Sequence, residues 1–497
     1  MNKQISRVAV ISLLLLAALV VATTYWQVWA APGLAARQDN TIQRVAQFRI
    51  RRGLIYAGQT VLARNFTKKV GPSTLYFRTY PTNGFASQTV GYSTQGRARS
   101  GLERSQNAYL TASNANLGTI WDKISDQLKG TTVRGNNLVL NLRVGAQKLA
   151  QNLLRGSCGA AVVLNPKTGA VYVMASSPTY NPNQIESNSG FAQIIKSPAA
   201  CPGSSAPLLN RAVQGLYSPG STFKTVTAAA ALDNGVYTRD SRFDDPGYCT
   251  EYGQKVSNAL NPDQTAESYG NVNFLQAYEH SINAVFCNIG KTLGAKKVLD
   301  EAKQFGFYAK PPIELPSNEV AASGLYNLRT HSLYDNAGIV DPGRLAFGQE
   351  HLLVTPLQMA LVAAGVANGG RVMEPHVLAK VTSPTGKTVV RFTPKLWRRA
   401  MKPQTAATLN EFMQAVVTGG TGRAAAINGI KVAGKTGTAE TSESHVYTAW
   451  FIFFAPADDP KVAGAVVLEH QVNGFGGSVA APIARQLMEA ILPGASK

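Results

Sequence analysis

The residues best suited to chemistry are Ser221 and Lys224, which follow a Pro-Gly turn and precede an alanine-rich run. Pro-Gly punctuates the chain and alanine is the strongest helix former, so the pattern predicts both residues in the first turn of a helix. Residues three apart share a face there, so an amine would stand beside a hydroxyl and could take its proton. The alternative is a capping serine with a solvated lysine one turn later. A single Ser-x-x-Lys pattern does not decide between the two.

Two later motifs favour the first interpretation, namely Ser281-Ile282-Asn283 and Lys435-Thr436-Gly437-Thr438. The first is predicted inside a helix over residues 274–293. The second is typical of the edge of a strand, where Gly437 would let the backbone of a ligand approach closely. In this order the three motifs match the signature of serine β-lactamases and penicillin-binding proteins, with Ile282 in place of the usual aspartate. Three elements in order are far less frequent by chance than one alone, so we predict acyl transfer.

The nucleophile and its proton route can be assigned from the residue types. Ser221 would attack the carbonyl carbon of a peptide and form an acyl-enzyme, with Lys224 as the general base. That role requires a neutral amine, whose pKa is lowered by burial and by a nearby cation such as Lys435. Ser281 would relay the proton to the leaving amine.

Substrate binding is predicted for the other polar groups of the second and third motifs. The Asn283 amide would hold a carbonyl of the substrate. Lys435, with the hydroxyls of Thr436 and Thr438, would bind its carboxylate. The backbone N–H groups of Ser221 and Thr438 would form the oxyanion hole.

No metal or cofactor is predicted. The four cysteines lack Cys-x-x-Cys spacing, which argues against zinc, and their three possible pairings remain open. Acyl transfer by these motifs needs no histidine, so His280 and His445, which lie near them, are given structural roles by default. The cysteines are Cys158, Cys201, Cys249 and Cys287.

The positive charge of the chain is concentrated in its N-terminal third. The 497 residues carry a formal net charge of +20, and residues 37–155 hold 18 Lys and Arg against 4 Asp and Glu. This region is a candidate surface for polyanions or anionic lipid, although a solvated charged face is the simpler interpretation. The length allows two or three domains, each with its own core.

Residues 8–31 contain no charged side chain, and 24 such residues are enough to span a bilayer. The cations before this stretch predict a cytoplasmic N-terminus, and the aromatic residues at its end suit the outer interface. A cleaved signal peptide is the alternative, because small residues over 30–36 resemble a processing site. The length and the aromatic end favour an uncleaved anchor in the cell membrane. The rest of the chain would lie outside, where nucleic acid is not an expected partner.

The chain after the anchor divides into two parts. Residues 32–154 alternate short apolar runs with turn residues and are predicted to form a non-catalytic pedestal, with a hairpin over 53–63. Residues 155–497 open with an apolar hairpin over 160–175, followed by a loop over 178–208. An antiparallel sheet made from that hairpin and the last strands, covered by helices on both faces, fits this order. Helices are predicted over 108–127, 144–154, 274–293, 296–305, 356–368, 404–418 and 480–492, and strands over 137–142, 447–456 and 461–471.

Several segments resemble class B penicillin-binding proteins, the monofunctional peptidoglycan D,D-transpeptidases. The resemblance runs from the anchor to the C-terminal helix. It departs at Ala57-Gly58, where the family usually has Asp-Arg. The similar segments outside the second and third motifs are 52–55, 61–63, 101–103, 210–224, 347–350, 354–360 and 449–451.

The resemblance implies an α+β fold, in which an antiparallel sheet sandwiched by helices and an all-helical lobe form a transpeptidase domain. A smaller mixed α/β pedestal, related to dimerisation domains, and one transmembrane helix within residues 1–31 would precede it. The donor would be the D-Ala-D-Ala end of a peptidoglycan stem peptide or lipid-linked precursor, and the acceptor the amine of a neighbouring stem. β-Lactams would acylate Ser221. A separate glycosyltransferase of the elongation or division machinery would be a partner.

Other functions share some of these features. A serine β-lactamase needs a deacylating base, and the segments that could supply it, around Glu314 and Tyr269, match such enzymes poorly. A β-lactam sensor usually carries several spans, and an inactive division scaffold would be expected to lose Lys224 or Lys435. Carboxypeptidase or endopeptidase activity is a closer alternative, because the shape of the cleft selects the acceptor.

Overall fold

The structure, a computed structural model, describes residues 2–30, 47–113, 133–196, 206–251, 253–259, 266–441 and 443–493. Cys201, nearly all of the candidate processing site and most of the helix predicted over 108–127 lie outside these ranges. The first residues of that helix belong to a short helix, Asn107–Leu110.

The strands are numbered in chain order. They are β1 Ile55–Ala57, β2 Thr60–Val70, β3 Ser73–Thr79, β4 Asn137–Leu140, β5 Gly159–Leu164, β6 Val171–Ser177, β7 Arg242–Asp245, β8 Tyr248–Glu251, β9 Gln254–Ser257, β10 Gly270–Asn273, β11 Gly324–Asn327, β12 Ser332–Leu333, β13 Leu352–Leu353, β14 Arg371–Met373, β15 Leu378–Thr382, β16 Thr388–Arg391, β17 Leu396–Arg399, β18 Ala433–Glu440, β19 Val446–Ala455 and β20 Val462–Val472.

The α-helices among the described residues are Asn2–Thr24, Ser87–Val90, Gly101–Ser105, Asn107–Leu110, Val144–Leu153, Asn188–Ile195, Lys224–Asp233, Phe274–Glu279, Asn283–Leu293, Ala295–Gln304, Pro342–Ala346, Pro356–Ala367, Pro403–Thr418 and Ala481–Ile491.

The N-terminal helix stands apart from the rest of the molecule. A stretch of 25 residues, Lys3–Gln27, has a mean hydropathy of 2.5, and every one of these residues is exposed. At 1.5 Å per residue such a helix is longer than the hydrocarbon core of a bilayer. Within the described ranges it is the one helix long and apolar enough to cross a membrane.

The central sheet has the strand order β18-β19-β20-β5-β6, with every neighbouring pair antiparallel. It joins the hairpin β5–β6 to the last three strands, so the predicted sheet is confirmed. Alternate residues of a strand enter different cores. In β5, for example, Val162 belongs to one hydrophobic core and Val163 to another. The helices Pro356–Ala367 and Ala481–Ile491 pack against the sheet within these two cores.

The pedestal contains a six-stranded sheet with the order β16-β15-β4-β1-β2-β3. Its hairpin β1–β2 was predicted. Strands β15 and β16 were not, because they come from residues 378–391, deep in the second part of the chain. A cut at residue 154 would therefore remove two strands from this sheet.

A buried ion cluster holds the N-terminal segments of the pedestal together. Glu103 is completely buried and accepts from Arg52 at 2.7 Å and from Arg78 at 2.6 Å. Burial alone would raise the pKa of Glu103, but the two guanidinium charges hold that pKa below its ordinary value. The carboxylate thus stays ionised, and removing either arginine would leave a charge poorly compensated in the interior.

The segment 178–208 is more regular than predicted. A helix, Asn188–Ile195, lies within it, and Ser187 caps that helix by accepting from the N–H of Gly190 at 3.0 Å. The composition, rich in Pro, Asn and Ser, concealed this cap. A prediction of loop throughout was wrong here.

Candidate active site

Ser221, the predicted nucleophile, lies on a tight turn, here called the nucleophile turn, that packs against strand β18. Residues Gly220–Phe223 form a 3₁₀ helix, which continues as the α-helix Lys224–Asp233. In a 3₁₀ helix residues three apart are eclipsed, so Ser221 and Lys224 lie on one face. Gly220 has a φ of +50°, and a Cβ there would come within 2.8 Å of the Thr438 carbonyl oxygen. Glycine is required at this contact.

Lys224 is completely buried, and its amine is held by the second motif. Its Nζ donates to the backbone oxygen of Ser281 at 2.6 Å, to Ser281 Oγ at 3.3 Å and to Asn283 Oδ1 at 2.7 Å. Burial, and then the positive charge of Lys435, lower the pKa of Lys224 well below its usual range. Both causes expected from the sequence are present.

The helix predicted over 274–293 is interrupted at the second motif, which corrects the prediction. Phe274–Glu279 ends before it and Asn283–Leu293 begins within it. Ser281 adopts a φ of +59°, and the N–H groups of Ser281 and Ile282 bond back to the last turn of the first helix. This is the Schellman ending that glycine usually makes. Because serine replaces the usual glycine at this position, the sequence gives no sign that the helix ends here.

Ser281 connects the two lysines. Lys435 Nζ donates to Ser281 Oγ at 2.8 Å, and Lys224 Nζ donates to the same oxygen. A hydroxyl oxygen has two acceptor positions and one proton. With both positions taken, the Ser281 proton is free to be donated, which is what a proton relay requires.

Lys435 lies at the base of the site and is completely buried. Its amine also donates to the Thr436 carbonyl at 3.1 Å and lies 5.6 Å from the centre of the Tyr278 ring. Burial lowers the pKa of Lys435 to about 7. The side chain is therefore poised between a cation and a neutral amine near neutral pH.

The motif on β18 faces both the cleft and the nucleophile turn. Thr436 lies 2.6 Å from the hydroxyl of Thr421, and Thr438 Oγ1 accepts from the N–H of Gly476 at 3.3 Å. A Cβ on Gly437 would stand 2.8 Å from the Pro219 carbonyl oxygen. The close approach that Gly437 permits is thus that of the nucleophile turn, whereas the sequence suggested a ligand.

A cavity of about 960 Å³ unites the three motifs. Lys224 and Lys435 lie buried behind it, and Gly437 supports the nucleophile turn. All eight predicted site residues therefore belong to one site. Those that line the cavity are Ser221, Ser281, Asn283, Thr436 and Thr438.

Other residues of the cavity wall were missed from the sequence, since they belong to no motif. His280 stacks on Tyr269 with ring centres 4.9 Å apart, and it lines the cavity together with His445, although both had been given structural roles by default. Only contact across the fold identifies these positions. The further lining residues include Thr421, Arg423, Glu440, Tyr447 and Phe475.

A network behind the cleft supports the nucleophile turn. Trp450 on β19 donates from Nε1 to the Ser218 carbonyl at 3.0 Å. Glu469 on β20 accepts from Tyr217 at 2.6 Å and from Arg211 at 2.7 Å. Burial, and then the charge of Glu469, raise the pKa of Tyr217 well above its ordinary value, so the phenol remains a donor. The turn is thereby fixed to two strands of the central sheet.

Comparison with known families agrees with this site. A family model described as the penicillin binding protein transpeptidase domain matches residues 159–489. This chain belongs to that family. A second model, the penicillin binding protein A dimerisation domain, matches residues 52–138, within the pedestal. The recognition made from the sequence motifs is confirmed.

Three relatives extend the match over about nine tenths or more of this chain. The peptidoglycan D,D-transpeptidase PbpA of Mycolicibacterium smegmatis is 34% identical, over 99% of each chain. A ceftriaxone acyl-enzyme structure of penicillin-binding protein A from M. tuberculosis is 29% identical and superimposes with a TM-score of 0.79, covering 90% of this chain and 100% of that chain. The D,D-transpeptidase domain structure from Eggerthella lenta is 33% identical, with a TM-score of 0.73, covering 89% and 98%. The α+β fold is confirmed.

Proposed function

We propose that this chain is a D,D-transpeptidase that cross-links peptidoglycan stem peptides through an acyl-enzyme on Ser221. The observation that carries the proposal is the buried amine of Lys224, held by Ser281 and Asn283 beside the nucleophile turn. Burial lowers the pKa of this amine well below its usual range and so favours the neutral form, whose lone pair can accept the proton of Ser221 Oγ as the serine attacks. The relatives whose names state this activity support the assignment.

The first half-reaction forms a new ester and breaks the terminal peptide bond. Ser221 Oγ bonds to the carbonyl carbon of the penultimate D-Ala while its proton passes to Lys224. The oxyanion is stabilised by the backbone N–H groups of Ser221 and Thr438. Ser281 donates its proton to the departing D-Ala amine and recovers one from the lysines. D-Ala leaves, and the donor peptide remains on the serine.

The second half-reaction reverses these roles. The amine of a neighbouring stem attacks the ester carbonyl, and its proton passes through Ser281 to the lysines. Ser221 leaves with a proton returned from Lys224, so a new peptide bond forms without consuming water. β-Lactams would stop at the first stage, because the C–N bond of the ring breaks but the released nitrogen stays tethered to the acyl group through the opened ring.

The substrate contacts follow from the atoms still available. Asn283 Nδ2 uses one hydrogen for Ser257 and keeps the second for a carbonyl of the substrate. Lys435, when protonated, and the hydroxyls of Thr436 and Thr438 would bind the terminal carboxylate. Gly437 keeps this strand close to the nucleophile turn.

The cellular arrangement is part of the proposal. The cations before the apolar helix would keep the N-terminus in the cytoplasm, and the catalytic part would lie outside. Because the described residues offer one catalytic site, for acyl transfer, the glycan chains would come from a separate glycosyltransferase of the elongation or division machinery. The transmembrane anchor, the pedestal and the catalytic domain would correspond to residues 1–31, 32–154 and 155–497, except that residues 378–391 complete the pedestal sheet.

Covalent labelling with a fluorescent penicillin tests the function. The wild-type chain should acquire one label that survives denaturation, and Ser221→Ala should acquire none. Label that persists in Ser221→Ala would place the nucleophile elsewhere, and an unlabelled wild type would refute the proposal. Release of the label within seconds would indicate a β-lactamase. Incubation with a stem peptide ending in D-Ala-D-Ala should then release D-Ala and, with an acceptor amine present, yield a cross-linked product.

A further inference from the structure

Asn283 begins a helix whose own sequence supplies no cap. Ile282 occupies the N-cap position, and its side chain has no hydrogen-bond acceptor. The N–H of Ala284 is instead satisfied by Asn258, whose Oδ1 accepts from it at 2.9 Å. Asn258 lies 26 residues earlier in the chain. The start of this helix, and with it the position of Asn283, therefore depends on a tertiary contact.

The orientation of the Asn283 amide also depends on a residue outside the motif. Its Nδ2 donates to the Ser257 carbonyl at 3.1 Å, and its Oδ1 accepts from Lys224 at 2.7 Å. A carbonyl can only accept, so Ser257 determines which end of the amide faces Lys224. A reversed amide would present N–H groups to the amine and lose this hydrogen bond.

Ser257 ends the hairpin β8–β9, and Asn258 follows it directly. A disulfide between Cys249 on β8 and Cys287 ties the hairpin to the Asn283 helix, with the two Cα atoms 6.4 Å apart. Cys287 comes four residues after Asn283, which is about one helical turn. The disulfide thus attaches the hairpin to the helix one turn after Asn283, the residue whose side chain the hairpin orients.

Two more contacts complete the attachment. At the last turn of the helix, Lys291 Nζ donates to the Thr250 carbonyl at 2.6 Å. At the first turn, both carboxylate oxygens of Asp245, at 3.0 and 2.9 Å, accept from Asn258 Nδ2. Asp245 is buried, and this double contact holds the Asn258 side chain in its capping orientation. The hairpin is therefore fixed to the helix at its beginning, middle and end.

We propose that the hairpin β8–β9 is a positioning element of the active site, and that the Cys249–Cys287 disulfide and Asn258 set the acylation rate of Ser221 through Asn283. The inference rests on the proposed function, because it concerns the same acylation step. Without these ties the Asn283 amide leaves its alignment with Lys224 for part of the time. The base is then less often placed to receive the serine proton.

The second-order rate constant of acylation by fluorescent penicillin measures this effect. It should be compared, well below the melting temperature, between the wild type, Asn258→Ala and the double variant Cys249→Ala/Cys287→Ala. A hydrogen bond between neutral groups, such as the one between Asn283 and the neutral Lys224 amine, is worth about 1 kcal/mol, so each variant should react about fivefold more slowly. Asn258→Ala keeps the disulfide, so the two variants test separate ties to the same residue.

A matched control and a double-mutant cycle separate positioning from general loss of stability. Cys158 is disulfide-bonded as well, and it directly precedes β5, which is separated from the motif strand β18 by β19 and β20. Cys158→Ala should therefore lower the melting temperature and leave the acylation rate at the wild-type value. In an Asn283→Ala background, removing the Cys249–Cys287 disulfide should cause no further loss of rate, because its effect passes through Asn283.

The outcomes distinguish this inference from the proposed function. Rates within twofold of the wild type in both hairpin variants would overturn the inference, as would a full additional fivefold loss in the Asn283→Ala background. In either case a labelled wild type would leave the proposed function intact. Absence of label on the wild type itself would refute the proposed function.

Discussion

Replacing Lys224 by methionine should abolish most acylation without destabilising the fold. General base catalysis contributes about 10²–10⁴-fold, and at about 1.4 kcal/mol per tenfold this corresponds to a barrier rise of about 3–5 kcal/mol. Among the described residues, no other side chain donates hydrogen bonds to both Ser281 and Asn283. We therefore expect acylation by penicillin to fall at least about a hundredfold.

The same substitution lowers the acylation rate but is expected to keep or raise the thermal stability of the fold. Because burial and Lys435 hold the pKa of Lys224 well below its usual range, the folded chain binds a proton at this amine more weakly than the unfolded chain does. Folding is therefore penalised at neutral pH, and the penalty disappears as the pH rises above the unfolded value. Methionine removes this penalty, although the Asn283 and Ser281 oxygens lose a donor at a cost of about 1 kcal/mol each. The melting temperature should stay level or rise.

The assay combines single-turnover labelling by fluorescent penicillin with thermal unfolding of the same preparation. Lys224→Arg is the matched control, because it keeps a long basic side chain that cannot act as a base at neutral pH. It should be as slow as Lys224→Met. Acylation within tenfold of the wild type in either variant would refute the assignment of Lys224 as the base. A slow variant that is also clearly unfolded at the assay temperature would contradict the stability argument.

Three further perturbations test other parts of the site. Lys435 has a pKa of about 7 in the fold against 10.5 ordinarily, so between these pH values the unfolded chain holds the extra proton and stability should rise with pH. Urea unfolding should therefore give a larger free energy of unfolding at pH 9 than at pH 7, by up to about 1.4 kcal/mol per pH unit. This increase should be smaller in Lys435→Met. An equal increase in the wild type and the variant would be inconsistent with a buried Lys435 amine whose pKa is lowered. Thr421→Val removes the hydroxyl that lies 2.6 Å from the hydroxyl of Thr436, and it should lower the acylation efficiency about fivefold. Thr421→Ser keeps a hydroxyl and should retain the wild-type efficiency. A valine variant with unchanged efficiency would show that this contact does not align strand β18. Gly437→Ala would place a Cβ 2.8 Å from the Pro219 carbonyl oxygen. The substitution should therefore displace the nucleophile turn and lower the free energy of unfolding by about 1–3 kcal/mol. A variant with normal penicillin labelling and a normal melting temperature would contradict this packing.

Much of the site was predictable because its chemistry depends on residue types that occur in motifs. Ser221 with Lys224, Ser281 with Asn283, and Lys435 with its neighbours were assigned from order and spacing, and the structure brings all of them to one cleft. The lowered pKa of Lys224 was expected from the requirement for a neutral base. The strands of the central sheet were recognised because both of their faces are apolar.

Other features could not be predicted, because they arise from contacts between distant segments. The break at Ser281 uses a serine where glycine is usual, so no turn signal marks it. The pairing of Cys249 with Cys287 was one of several that the spacing allowed. Thr421 belongs to no motif and matters only because its loop packs beside Thr436. Strands β15 and β16 join the pedestal sheet although they lie more than 200 residues after the rest of it.

By itself, the sequence determined which chemical groups this protein possesses and in what order they occur. That was enough to predict a serine nucleophile, a lysine base and an acyl-transfer site, together with a membrane anchor. Only the tertiary structure decided that Ser281 Oγ accepts from both Lys224 and Lys435, and that Asn283 is oriented from the hairpin β8–β9. The reason is physical. A hydrogen bond of about 3 Å and a pKa lowered by burial are properties of the surroundings, and those surroundings come from segments that are far apart in the chain.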